Sequence, residues 1–143
     1  MAFTADFFCN SFKQELFEGV HDLQVAGSVY NIALYDNTAT LTAATTSYTG
    51  PTGELPASGN YTTGGQALTN IAPTLDTGVA ICDFEDEVFA TATFTSYGAL
   101  IYKDTTNEAL VVLDFGGAKT ATAGDFTIQF PVAAAATAII RIA

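Results

Sequence analysis

The spacing of apolar residues changes once along this chain. Phe8, Phe12 and Leu16 recur every four residues, with Phe17 and Val20 beside them and Lys13, Gln14, Glu15 and Glu18 on the other side. That period predicts a short N-terminal helix. Thr4 is placed to cap it, Asp6 falls in its first turn, and Gly19 is placed to stop it in a left-handed conformation. Such a helix either closes one end of a core or serves as an arm on a neighbouring subunit.

From residue 29 the period becomes two. Residues 29–35 carry the β-branched and aromatic content of a strand, ended by the turn pair Asp36-Asn37. Residues 38–48 read as a Thr-rich strand pair or a strand plus loop. Gly50-Pro51-Thr52-Gly53 and Pro56-Ala57-Ser58-Gly59 punctuate the longest irregular region, which is expected as an exposed loop. Gly64-Gly65 precedes a short strand over 66–71. Strands over 79–84 and 88–95 are expected to join at Glu85-Asp86-Glu87, and 97–102 reads as an apolar central strand. A hairpin turn over 103–107 leads into 109–115. Gly116-Gly117 and Thr122-Ala123-Gly124 bracket a second loop before 126–130, and 137–142 forms a last apolar strand. About eight short strands separated by turns predict a mainly β chain. The expected fold is a single β-sandwich or barrel-like domain over 1–143, with a helix or arm over 1–20, the sandwich over 28–130 and an Ala-rich strand or tail over 131–143.

Composition narrows the partners. The chain has 143 residues, enough for one core, with 49% hydrophobic and only 13% charged residues. That skin suits either a protein pressed against neighbours or a soluble β domain with an uncharged polar surface. The net charge is −11, from 15 acids against Lys13, Lys103, Lys119 and Arg141. Four scattered cations cannot build a phosphate-binding patch, so nucleic acid and anionic membranes are not expected partners. Cys9 and Cys82 lie far apart with no zinc-type spacing, and are expected as buried free thiols. The N-terminus lacks the basic and apolar regions of a signal peptide, and no apolar run is long enough to span a bilayer. Synthesis in a cytoplasm, or assembly there into something larger, is the expectation.

The candidate chemistry is thin. His21 is the only histidine, and it follows a helix end, where a surface or helix-end role is expected and not a catalytic one. Asp83, Glu85, Asp86 and Glu87 could attract a hard cation, but their spacing fits no EF-hand loop, and a solvated turn is expected. Gly116-Gly117-Ala118-Lys119-Thr120 lacks the full phosphate-loop pattern and reads as a hairpin loop. Asn60-Tyr61-Thr62 is a formal glycosylation sequon without a secretory route. No catalytic, cofactor-binding or metal-binding residue is expected, and no enzymatic activity.

One set of phrases, in order, points to a family. Ser11-Phe12-Lys13 is followed by Ala33-Leu34-Tyr35, a Gly-Gly-x-x-Leu-Thr-Asn phrase at 64–70, and the acidic turn at 83–86. A Tyr-x-x-x-Ile-Tyr-Lys-Asp strand follows at 97–104. Leu113-Asp114-Phe115-Gly116 and Gly124-Asp125-Phe126-Thr127-Ile128-Gln129 close the series. This order resembles a family of small tailed-bacteriophage virion structural proteins. Phe89 and Phe130 stand where that family often has Trp, and the tail from Pro131 to Ala143 is unlike the usual ending. The resemblance implies a non-enzymatic virion component without cofactors, foremost a capsid decoration (cement) protein on the capsid surface. It would bind across neighbouring major capsid protein subunits and stabilise the shell, as a homo-oligomer with a trimer favoured. Phe3, Phe7, Phe8, Phe12, Pro131, Ile139, Ile140 and Ile142 are the candidate subunit contacts. The alternative is a tail- or fibre-associated adsorption module, which calls for Tyr48 and Tyr61 exposed on one face of the loops to bind a host glycan.

Overall fold

A computed structural model describes residues 3–48, 50 and 52–143. The chain runs β1 (Phe7–Phe8), α1 (Asn10–Glu18), β2 (Tyr30–Tyr35), β3 (Gln66–Ala67), β4 (Asn70–Asp76), β5 (Val79–Phe84), β6 (Glu87–Lys103), β7 (Ala109–Ile128) and β8 (Ile140–Ile142). One antiparallel sheet has the order β1-β7-β6-β2-β3 and the other β4-β5-β8. The sheets do not close into a barrel, and the fold is sandwich-like, as the strand periodicity predicts.

The larger sheet is organised by one long hairpin. β6 and β7 pair from Glu87↔Ile128 to Tyr102↔Ala109, with register shifts that bend both strands. β2 lies on the other side of β6, from Tyr30↔Lys103 to Tyr35↔Gly98. Tyr30, Ile32, Leu34, Leu100, Leu110 and Val112 are all fully buried. Burial on both faces explains why β2 reads as a continuous apolar run.

Several sequence expectations are corrected here. The loop expected between Gly116-Gly117 and Thr122-Gly124 does not exist, because those residues lie inside β7. Gly116, Gly117 and Ala123 take φ of 71°, 126° and 46°, so they bulge a strand that the opposing β6 keeps in the ladder. For the same reason residues 88–95 and 97–102 form one strand, not two.

The helix starts at Asn10, not near Thr4. Phe7 and Phe8 pair instead with Val112 and Val111, and the Asp6 carboxylate accepts the Asp114 N–H at 2.6 Å. An open edge of β7 competes for those backbone groups better than another helical turn does. The helix end is as expected: Gly19 has φ 72°, and the Gly19 and Val20 N–H groups bond Leu16 and Glu15 carbonyls.

Residues 38–48 form no strand, while the described residues of the loop over 50–59 are mostly exposed, as expected, with Leu55 turned inward. Leu41, Leu55 and Tyr61 are buried, and isolated bridges pair Tyr35 with Glu54 and Ser47 with Glu108. Of the punctuation around Gly50, Thr49 and Pro51 lie outside the described residues. Finally, residues 66–71 are split between the sheets, because the Leu68 N–H bonds Tyr30 while the Thr69 carbonyl takes the Glu85 N–H. Gly65, at φ 84°, lies so close to the Ile32 carbonyl that a Cβ could not fit.

Candidate interaction surface

α1 and β8 face each other across an open apolar groove of about 440 Å³. Phe12 and Ile140 are buried at its floor, while Phe17 and Ile142 are 96% and 60% exposed at its sides. Helical geometry turns successive side chains by roughly 100°, so Phe17 leaves the inward stripe of Phe8, Phe12 and Leu16. Lys13 and Arg141 also line the groove. Arg141 Nη1 donates to the Ala136 carbonyl at 2.8 Å, which ties its guanidinium to the tail. Neither cation pairs with a carboxylate among the described residues. Lys103, by contrast, donates its ammonium to the Val20 carbonyl at 2.6 Å.

The expected contact residues divide. Phe3, Phe12 and Ile140 are buried in the chain's own core, so as they stand they have no surface to offer a neighbour. Phe3 covers Gly98, where an added Cβ would meet its ring. Phe7, Phe8 and Ile139 are half-buried, and Pro131 and Ile142 are exposed. Phe17 was legible as a helix residue flanking the stripe, but nothing in the local pattern marks Lys13 and Arg141 as its companions across the groove.

The titratable candidates are occupied structurally. His21, expected at the surface or at a helix end, lies just past the end of α1 with its side chain buried. Its Nε2 lies 2.8 Å from Glu15 Oε2, its Nδ1 lies 3.3 Å from the Tyr30 hydroxyl, and its ring packs edge-on to Phe12 at 5.0 Å. A thiol nucleophile needs a lowered pKa, but burial and then the Glu15 carboxylate push Cys9 up to about 11. Cys82 is raised by burial too, and both cysteines are free.

The acidic turn is solvated as expected at Glu85 and Asp86, which are exposed between β5 and β6, but Asp83 is not part of that exposed surface. Asp83 is 2% exposed and accepts the Phe84 and Ile139 N–H groups at 2.9 and 3.4 Å. Burial raises its carboxyl above the usual range despite those donors. Asp86 accepts the Phe130 N–H at 2.8 Å. These acids staple the C-terminal segment to the second sheet. Among the described residues no group of three or more His, Cys, Asp or Glu could hold a metal.

The tyrosines proposed for a glycan platform are also committed. Glu54 accepts the Tyr48 hydroxyl at 2.7 Å, the Tyr61 hydroxyl at 3.2 Å and the Gly64 N–H. Tyr61 is fully buried, and its oxygen accepts the Leu34 N–H at 3.0 Å. Tyr48 stacks on Tyr102 at 4.3 Å, and Tyr102 donates to the Gly64 carbonyl at 2.6 Å. Burial pushes the Tyr35, Tyr48 and Tyr61 hydroxyls far above their ordinary value, so they stay neutral; Tyr48 and Tyr61 donate to Glu54, while the Tyr35 hydroxyl has no partner among the described residues. Tyr61 is therefore a core anchor, and the exposed pair is not formed.

No helix among the described residues is long and apolar enough to cross a membrane. No protein-family model, curated protein or solved structure matches the chain.

Proposed function

We propose that this chain is a non-enzymatic structural protein of a tailed-phage virion, acting as a capsid decoration protein that binds across neighbouring major capsid subunits. The observation that carries the reading is the α1–β8 groove. It leaves apolar side chains open to a partner, while the candidates His21 and Asp83, and the acceptor Glu54, are bound up inside the fold. Large exposed apolar features on a folded chain mark contact surfaces more often than chemistry. The ordered phrases from Ser11 to Gln129 supply the link to virion proteins, and the low charge content fits broad contact with a shell.

Mechanistically, a protein that binds only the assembled lattice stabilises it by mass action. At a free concentration one hundred times Kd the gain is about 2.7 kcal/mol per site. Many sites acting together would resist disassembly. The strongly negative charge keeps such a subunit away from packaged DNA and on the outside of the particle.

The test mixes the purified protein with mature, undecorated shells of its own phage and images the particles. Added density at symmetric lattice positions is the expected result. Bare shells, or density at the tail alone, would overturn the cement reading.

A further inference from the structure

We propose that copies of this chain join head to tail, the β4–β5 hairpin tip of one copy seating in the α1–β8 groove of the next. This contact stands apart from the station of the protein on a particle.

The three-stranded sheet ends in two unlike edges. At one edge β8 adjoins the groove, with exposed Phe17 and Ile142 and the cations Lys13 and Arg141. At the other edge β4 carries four consecutive exposed residues, Ala72 to Leu75. Leu75 is 75% exposed and is followed by Asp76 and the tight turn Thr77-Gly78, whose φ values are 48° and 87°. The hairpin therefore presents an apolar side chain beside a carboxylate. One Asp76 oxygen accepts the Ala135 N–H at 2.7 Å, which fixes the acid at the base of the tip.

The two surfaces are opposite in charge, Lys13 and Arg141 lining the groove and Asp76 standing beside the tip. The chain has only four cations against 15 acids, and two of the four line one groove. A foreign strand adding along β4 would meet Pro73, which has no N–H to donate, so the tip is the better contact than the edge. Within one copy β5 separates the tip from the groove, Leu75 and Ile142 each pairing with Ala80, and no tip residue lines that groove, so the two do not meet. Between copies they can, and the contact repeats. A heterologous contact of this kind closes into a ring when the rotation allows and runs on as a filament when it does not.

The experiment is sedimentation velocity over a concentration series on the full chain and two variants, Phe17→Asp and Leu75→Asp. Both side chains are solvent-exposed, and unchanged circular-dichroism melts confirm that both variants fold. Wild type is expected to associate, and each variant alone is expected to stay monomeric. An equimolar mixture of the variants is expected to form a discrete heterodimer, because one retains the tip and the other retains the groove. Wild type that remains monomeric at all concentrations overturns the proposal. So does a Leu75→Asp variant that associates like wild type, which would point to a groove-to-groove contact, and so does a mixture that gains nothing.

Discussion

Two aromatic-rich regions of this molecule are built on opposite principles. Around Glu54, the rings of Tyr48, Tyr61 and Tyr102 close over one another, and their hydroxyls find an acceptor within the chain. Between α1 and β8, Phe17 and Ile142 stay in solvent, and the nearby cations Lys13 and Arg141 find no carboxylate among the described residues. The first region covers its rings and pairs the hydroxyls of Tyr48, Tyr61 and Tyr102 internally, leaving only the buried Tyr35 hydroxyl beside them without a partner among the described residues. The second leaves Phe17 and Ile142 uncovered and Lys13 and Arg141 without a carboxylate among those residues, although Arg141 donates to the Ala136 carbonyl. Residue type alone does not distinguish them; completeness of partnering does.

The closed region should dominate stability. Tyr61→Ala is expected to cost about 3–5 kcal/mol, as for other buried aromatic truncations, read from chemical denaturation. Rings at 5.3 and 5.8 Å, Phe89 and Phe94, lose their partner in that variant. Glu54→Ala comes next. It strands the Tyr61 hydroxyl and the Gly64 N–H, at roughly 1–3 kcal/mol for a buried donor left unpaired. A loss below about 0.5 kcal/mol in both would erase the distinction between the regions.

The open region should behave in reverse. Phe17→Asp is expected to shift stability by less than about 0.5 kcal/mol while abolishing association, measured by denaturation and sedimentation on the same sample. A large destabilisation would mean that Phe17 belongs to the core.

The smallest effect concerns pH. Burial raises the Asp83 carboxyl in the folded chain, so its charged form is the costly one. The contribution of Asp83 is fully present below the ordinary value of 3.8 and is lost as pH rises through the raised folded value. The melting temperature of wild type relative to Asp83→Asn should therefore fall as pH climbs from 3.8, and level off once Asp83 is ionised. A difference that grows with pH would show that its two N–H donors outweigh burial.

The strands that rest on their own periodicity were legible in the sequence. β2 and β5 lie within a residue of where alternation and turn residues put them. Gly116-Gly117 was misread because a glycine pair looks alike in a turn and in a bulge, and only the opposing strand decides between them. Thr4 and Asp6 were misread because an edge of β7, far along the chain, captured their segment. Tyr61 was placed in an exposed loop because Gly and Pro neighbours signal irregular backbone, which need not be solvated. For the groove, the helix half was visible as a stripe with Phe17 beside it. Its other half lies on β8, more than a hundred residues away, so no local signal could join them.

Hydrogen–deuterium exchange of the dilute and the concentrated protein reads both regions at once. Slow exchange near Tyr61 at every concentration, with protection gained on concentration over Asn10–Glu18, Asn70–Asp76 and Ile140–Ile142, is the predicted result. Association without added protection in those three segments, or fast exchange around Tyr61, would contradict the division between a closed region that holds the fold and an open one that holds a neighbour.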